Sequence, residues 1–457
     1  MTQGRRNSPH SWRTLLAIAI GGLLLRLFAA VLISPSPPVS GEAIYSFRAQ
    51  AWNQRAPTAV DLERPPGVMY FYRLLTLVFG EDRIVLRFGN AFLGALLLPV
   101  LYGWSRKYVD HRAALTATLF AAIHPELISY SASLWSEPLY LILIYSAFLV
   151  FLHPHRPFSI QRSVLLGLLL AMACLTRDIA LFFLPFVLLE FLRGFRSDLP
   201  RSVAAVTAFL VAFALPILPR SMEMTERSGS LVLISSLNAE RLFVGNVPSK
   251  KDPLNVQLGK GIEMYLALSP DPQERTRLAL KEVSAAIRQQ MPYWPFEKLW
   301  DELYHLFTPN SYSAMRMFAN PKDQNWAGKR AYQFSIPALD HQEIRISLGM
   351  LTIFASVATL LCGAIGLSLL RFSSNAFPLV VFALVHIAPT IVTSASSRYR
   401  LPLLPILMLG GAALLIHGRA LWRDASPRRR WVAIAMLLLA TTFLARGIGQ
   451  IYPPTFA

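Results

Sequence analysis

The sequence predicts an all-α integral membrane protein that crosses the bilayer about eleven times, and three observations carry the prediction. Of 457 residues, 54% are hydrophobic and only 15% charged, with a mean hydropathy of +0.43; a soluble domain carries about 25% charged residues. The apolar residues are gathered into long blocks, many near the roughly 17–25 residues that a helix needs to span the hydrocarbon core. The basic residues fall in alternate short loops, which is a topology signal. Helices are the expected solution because a backbone exposed to lipid must satisfy its own hydrogen bonds.

The predicted spans are Leu15–Ile33, Ile84–Trp104, Ala113–Ile128, Pro138–Leu152, Val164–Leu175, Ile179–Leu192, Val203–Leu218, Ile346–Leu370, Phe377–Thr393, Leu401–Ile416 and Trp431–Leu444. The fifth and sixth are short for a full crossing, which suits tilted, broken or sheltered helices. The first follows Arg5, Arg6 and Arg13 like a signal peptide. Its apolar stretch is too long for one and no small-x-small cleavage site follows, so it reads as a retained span.

Alternate loops hold Arg106, Lys107 and Arg112; Arg156 and Arg162; Arg193, Arg196 and Arg201; Arg371; and Arg419, Arg423, Arg428, Arg429 and Arg430, against the acids Asp110, Asp198 and Asp424. The positive-inside rule places these loops and the N-terminus in the cytoplasm, and an odd span count places the C-terminus outside. The net charge of +18 is thereby a matter of topology, and nucleic acid is not an expected partner. Cys174 and Cys362 both sit in apolar blocks, so no disulfide framework is implied.

The predicted organisation is a cytoplasmic tail over 1–14, a transmembrane catalytic module over 15–219 with an exterior loop at 34–83, an extracytoplasmic segment over 220–345, and C-terminal spans over 346–457. In the exterior loop, Ser34-Pro35-Ser36-Pro37-Pro38 excludes helix interior. Helical stretches are expected near Glu42–Asn53 and Val68–Phe79, the second amphipathic enough to lie on the membrane surface. The second exterior segment reads as strand-like at Ser230–Ser235 and as a polar helix at Pro272–Gln290.

The residues that can carry chemistry lie on the exterior side. Glu42, in Ser40-Gly41-Glu42-Ala43-Ile44-Tyr45, suits a general base acting on an acceptor hydroxyl or amine; the competing reading is an acid that complements a helix dipole behind an N-cap Ser40. Asp61 and Glu63, ahead of Arg64-Pro65-Pro66-Gly67, share a face if extended. They suit supporting acids or metal ligands, against a solvated loop paired with Arg64. Thr176-Arg177-Asp178 and Ser397-Arg398-Tyr399-Arg400 put arginine where positive-inside bias disfavours it. A guanidinium fork fits phosphate oxygens, so Arg398 and Arg400, and less so Arg177, suit a lipid-phosphate clamp; the alternatives are snorkelling to head groups or a pair with Asp178. Glu126 and Glu137 flank the turn between the third and fourth spans and suit the same cavity. The sequence holds no convincing metal-ligand spacing, Gly-rich phosphate loop or nucleophile elbow, although the acids leave room for a divalent cation.

In order and spacing these motifs resemble the bacterial GT-C membrane glycosyltransferases, the superfamily of protein O-mannosyltransferases and lipid A aminoarabinose transferases (glycosyltransferase family 39-like). The resemblance rests on Arg26, Tyr45, Arg64-Pro65-Pro66-Gly67, Phe79-Gly80, Arg87-Phe88-Gly89-Asn90, His124-Pro125-Glu126, Ser136-Glu137-Pro138, Leu175-Thr176-Arg177, Phe243-Val244-Gly245-Asn246-Val247-Pro248 and Arg398-Tyr399-Arg400-Leu401-Pro402. It implies an inverting transfer from a polyprenyl-phosphate-linked sugar to a protein, lipid or glycan acceptor at the outer face of a cell (inner) membrane. It also implies an acidic residue of the exterior loop in the catalytic role, and Glu42 is read as the catalytic base, with Asp61 and Glu63 in reserve. Tyr45, Arg64, Glu126, Glu137, Arg177, Asp178, Arg398, Tyr399 and Arg400 are then substrate-binding. The sequence departs from the family at Gly41, where members carry Asp. A transporter or flippase and a non-catalytic scaffold are the rival classes; a transporter predicts repeated halves and broken midplane helices, and no internal repeat is visible.

Overall fold

The computed structural model describes residues 9–38, 42–47, 64–152, 159–194, 199–228, 231–235, 238–247, 254–318, 332–339, 341–371 and 376–448. Among the described residues every regular element is helical. The first half of the chain builds α1 (Pro9–Leu32), α2 (Gly67–Phe79), α3 (Arg83–Ser105), α4 (His111–Ile123), α5 (Pro125–Ala132), α6 (Glu137–Phe151), α7 (Ile160–Thr176), a 3-10 turn (Asp178–Phe183), α8 (Leu184–Gly194) and α9 (Leu199–Ser228). A stretch of shorter helices follows: α10 (Asn238–Asn246), α11 (Leu254–Ala267), α12 (Pro272–Gln290), α13 (Trp294–Phe307) and α14 (Tyr312–Phe318). The last part is α15 (Gln342–Leu369), α16 (Ala376–Val392), a 3-10 turn (Ser397–Leu403), α17 (Leu404–Asp424) and α18 (Pro427–Ile448).

Each of the eleven predicted apolar stretches falls on one or more of these helices, and the protein is a polytopic membrane protein. Among the described residues, five helical stretches are long and apolar enough to cross unaided: Trp12–Leu32, Arg83–Ser105, Leu199–Glu226, Gln342–Leu369 and Ser397–Asp424. A sixth crossing results if α5 and α6, bent by 115°, count as one. The number eleven is not established by length. A 13-residue helix such as α4 is only about 20 Å long at 1.5 Å per residue, short of the roughly 30 Å hydrocarbon core.

The third predicted span ends earlier than expected, because Pro125 has no N–H to continue α4 and instead occupies the first turn of α5. The sixth is broken: a 3-10 turn precedes α8. The expected strand at Ser230–Ser235 is corrected, since residues 231–235 form no strand. A strand needs a neighbour to pair with, and here α9 side chains take the backbone bonds instead. Ser221 Oγ donates to the Val232 carbonyl at 3.0 Å and the Val232 N–H donates to Thr225 Oγ1 at 3.2 Å. The polar helix at Pro272–Gln290 is present with those bounds; Asp271 caps it by accepting the Glu274 N–H at 2.8 Å, and Pro272 stands in its first turn.

Packing between spans relies on small residues, as expected where lipid supplies no hydrophobic drive. At the α15–α17 crossing a methyl group on Gly366 would lie 1.9 Å from the Gly410 carbonyl oxygen, so only glycine lets these backbones meet. The bundle centre is aromatic: Trp104 meets Tyr145 edge-on at 5.2 Å and Phe148 meets Phe382 at 4.8 Å. The Tyr145 hydroxyl donates to the Pro402 carbonyl at 2.7 Å, tying α6 to the second 3-10 turn.

Two buried arginines inside the bundle are structural. Arg26 on α1 donates to the carbonyls of Ala121 and Ala122, both at 2.9 Å, at the end of α4. Arg87 on α3 donates to the Ala132 carbonyl at 3.0 Å, where α5 ends, and to the Ser36 carbonyl at 3.1 Å. Each satisfies helix-end carbonyls that have no partner within the helix. Together they fix both ends of the segment bearing Glu126.

Candidate functional site

The breaks in the helices bring most of the sequence-predicted residues to one end of the bundle. Glu126 stands in the first turn of α5, Glu137 in the first turn of α6, and Asp178 opens its 3-10 turn. Residues 42–47 form a helical turn carrying Glu42 and Tyr45, both buried. Arg398, Tyr399 and Arg400 lie on the 3-10 turn before α17.

Each of these four carboxylates meets a guanidinium, and the pairs differ in character. Glu126 and Arg400 form a fully buried ion pair. The Ser356 hydroxyl donates to Glu126 at 2.5 Å, and Arg400 also donates to the Thr308 carbonyl. Glu42 accepts from Arg316 at 3.2 Å, again with both side chains buried. The Arg316 guanidinium lies 3.9 Å from the centre of the Tyr332 ring. Burial works against its charge, but Tyr332 and Glu42 raise its pKa above the ordinary guanidinium value. Asp178 accepts from the Ser235 hydroxyl at 2.7 Å and from Arg241 at 3.3 Å.

Glu137 is shared. Its Oε1 atom receives Arg177 Nη1 at 2.7 Å and Arg398 Nε at 3.1 Å. The Glu137 side chain is 1% exposed, whereas Arg177 and Arg398 are 16% and 23% exposed. One buried anion therefore faces two partly exposed cations, leaving a positive excess at their exposed ends. An aromatic bed supports them. Arg398 lies 4.4 Å over the Trp135 ring and 5.4 Å from Tyr399; Arg177 lies 5.4 Å from Tyr399 and 5.7 Å from Tyr140. Tyr45 is within electrostatic reach of Arg241 and Arg398.

The geometry thus separates Arg398 from Arg400. Arg398 shares its carboxylate with Arg177, while Arg400 is sealed against Glu126. Asp178, the expected alternative partner of Arg177, is engaged by Arg241 instead. Arg64 is half-buried, and its carbonyl accepts from Arg220 at 3.2 Å. Asp61, Glu63, Ser40 and Gly41 lie outside the described residues. Among the described residues no three His, Cys, Asp or Glu side chains gather as metal ligands.

Sequence reasoning missed Arg241, Arg316, Ser235, Ser356 and Trp135. The signal that drew attention to Arg177 and Arg398, a basic residue on the side expected to lack them, also applies to Arg241 and Arg316. It fades there because long segments between spans are largely exempt from charge bias.

Residues 63–219, which include Glu126, Glu137, Arg177 and Asp178, match the family model described as dolichyl-phosphate-mannose-protein mannosyltransferase. That match supports the resemblance to GT-C membrane glycosyltransferases. Among solved structures, the chain is similar to the S. cerevisiae protein O-mannosyltransferase complex bound to its sugar donor: 18% identity, 54% of this chain, 38% of that chain, TM-score 0.41. It is similar to the apo oligosaccharyltransferase of Archaeoglobus fulgidus: 17% identity, 95% of this chain, 56% of that chain, TM-score 0.46. It is also similar to ArnT from Cupriavidus metallidurans bound to undecaprenyl phosphate: 14% identity, 92% of this chain, 82% of that chain, TM-score 0.40. The chain spans well under two thirds of the length of the first two. No curated protein matches.

Proposed function

We propose that this chain, over whose residues 63–219 the mannosyltransferase family model matches, is a GT-C type membrane glycosyltransferase. It moves a sugar from a polyprenyl-phosphate donor to a protein, lipid or glycan acceptor at the extracytoplasmic face of a cell membrane. The observation that carries the reading is the Glu137 carboxylate shared by two partly exposed arginines on an aromatic bed. Arg177 and Arg398 keep outward N–H donors for the donor phosphate, with Tyr399 between them. Glu126, Arg400 and Asp178 hold the framework around that pair. Residues 15–219 form the catalytic module, with 220–345 outside and 346–457 closing the bundle.

In the reaction an acceptor oxygen or nitrogen attacks the anomeric carbon and a new glycosidic bond forms. The bond from that carbon to the phosphate oxygen breaks, and its electron pair leaves with the phosphate. The arginines stabilise the charge that develops there. The acceptor proton passes to a carboxylate, for which Glu42 is the choice, with Asp61 and Glu63 as alternates. The test is transfer of labelled sugar from a polyprenyl-phosphate donor by the purified protein in nanodiscs. A flippase would move the lipid between leaflets and form no new glycosidic bond, and that result would overturn the reading.

Arg177→Lys and Arg398→Lys keep the charge but lose the fork, so each is expected to weaken donor binding about tenfold to a hundredfold, from a charge-assisted hydrogen bond worth roughly 1.5–3 kcal/mol. Unchanged binding in both would remove the phosphate assignment. A reporter active only outside the cytoplasm is expected to work when fused after Ser236 or at the C-terminus and to be silent after Arg112 or Arg429. Activity after Arg112 would invert the topology and move the site to the cytoplasmic face.

A further inference from the structure

The connection from α16 to the Arg398 turn is gripped by side chains from the segment between α9 and α15. Helix α16 ends at Val392 and leaves its last carbonyls without intrahelical partners. Asn246 Nδ2 on α10 donates to the Val392 carbonyl at 3.0 Å. Lys298 Nζ on α13 donates to the Thr393 carbonyl at 2.8 Å, to the Gly245 carbonyl, and to Glu302 Oε1 at 2.6 Å. Glu302 uses its other oxygen to accept the Ala395 N–H. Trp294 Nε1 donates to Asn246 Oδ1 at 3.2 Å, joining the two gripping helices. A methyl group on Gly245 would lie 1.8 Å from the Thr393 oxygen, so the stretch Gly245-Asn246 can press against the α16 end only because it carries glycine there. Lys298 and Glu302 are both buried.

We propose that Lys298 and Glu302, with Asn246, are positioning residues: they clamp residues 392–395 and thereby set where Arg398 holds its ligand. The inference rests on the reading of Arg177 and Arg398 as a phosphate site. Two residues, Ser396 and Ser397, separate the clamped Ala395 from Arg398, too few for the arginine to move independently. On the far side the turn is pinned by Tyr145 at the Pro402 carbonyl. The three donors of Lys298 Nζ meet two backbone carbonyls and one carboxylate, which leaves a specific geometry rather than a diffuse attraction. The same clamp makes the extracytoplasmic segment and the phosphate site one mechanical unit.

The probe is farnesyl phosphate, a short polyprenyl phosphate without sugar, binding to the full chain in nanodiscs. Backbone hydrogen exchange over residues 393–400 is followed in parallel. Lys298→Met and Asn246→Ala are expected to raise exchange in that stretch and to weaken the probe about 2- to 30-fold, the range of couplings carried through packed networks. Arg398→Ala should weaken the probe yet leave exchange at the parent level. Adding Lys298→Met to Arg398→Ala should cost nothing further, because the clamp acts through Arg398. Unchanged exchange, raised exchange with full binding, or independent multiplication of the two losses would each overturn the inference. If the parent does not bind the probe, the phosphate reading falls. Exchange raised only over 393–400 would then preserve the clamp as a structural grip, and exchange raised throughout would remove that too.

Discussion

Glu42→Gln is expected to lower sugar transfer by about 10²–10⁴-fold, the usual loss when a general base is removed, while farnesyl phosphate still binds with parental affinity. The substitution is close to isosteric, and its amide oxygen can still accept from Arg316, which in the parent donates to Glu42 at 3.2 Å. The shape of the contact is therefore kept, while the charge facing buried Arg316 is lost together with the capacity to take up a proton; the unfolding midpoint of the variant in detergent separates a loss of stability from the loss of the base. Binding is spared because the two arginines of the proposed phosphate site meet Glu137 rather than Glu42. Turnover and binding are measured side by side on the purified protein. Normal turnover by Glu42→Gln, with Asp61→Asn or Glu63→Gln inactive, would move the base to the far end of the loop. Normal turnover by all three would take it out of the loop.

The membrane architecture was legible because its causes are local. Apolar blocks must become helices in lipid, and each predicted block did so; a cap at Asp271 and a first-turn proline set the start of Pro272–Gln290. The wrong expectation, a strand at Ser230–Ser235, came from reading β-branched content without knowing whether a partner strand existed. The acids and arginines could be named from the sequence, but their pairing could not. Glu126 and Arg400 are 274 positions apart, as are Glu42 and Arg316, and no spacing rule reaches that far. The distinction between a sealed arginine and one facing outward is likewise a property of packing, so Arg398 and Arg400 look alike in the sequence and differ in the fold.

Breaking the sealed pair should have the largest effect on stability. Glu126→Ala leaves Arg400 buried without its carboxylate, and Arg400→Met leaves Glu126 buried without its guanidinium. Removing one partner of a buried pair costs roughly 3–5 kcal/mol. The combined Glu126→Leu/Arg400→Met variant should lose less than either single change, since it strands no charge in the interior. Ser356 and the Thr308 carbonyl, which lean on the pair, would lose one hydrogen bond each. Unfolding titrations in detergent read all three variants. Parental midpoints for both single variants would mean that the pair contributes nothing to the bundle.

Glu126, Glu137 and Asp178 each stand at the start of a helical segment. Three helical segments begin around the same cluster, so three sets of leading backbone N–H groups bring partial positive charge to it. This background field is fixed by the chain trace and survives any side-chain substitution. Loss of a single arginine therefore lowers the local potential without reversing it. Function at this end of the bundle should decline by degrees as arginines are removed one at a time, and insertion of residues that turn a helix start away should be more damaging than the loss of any one cation.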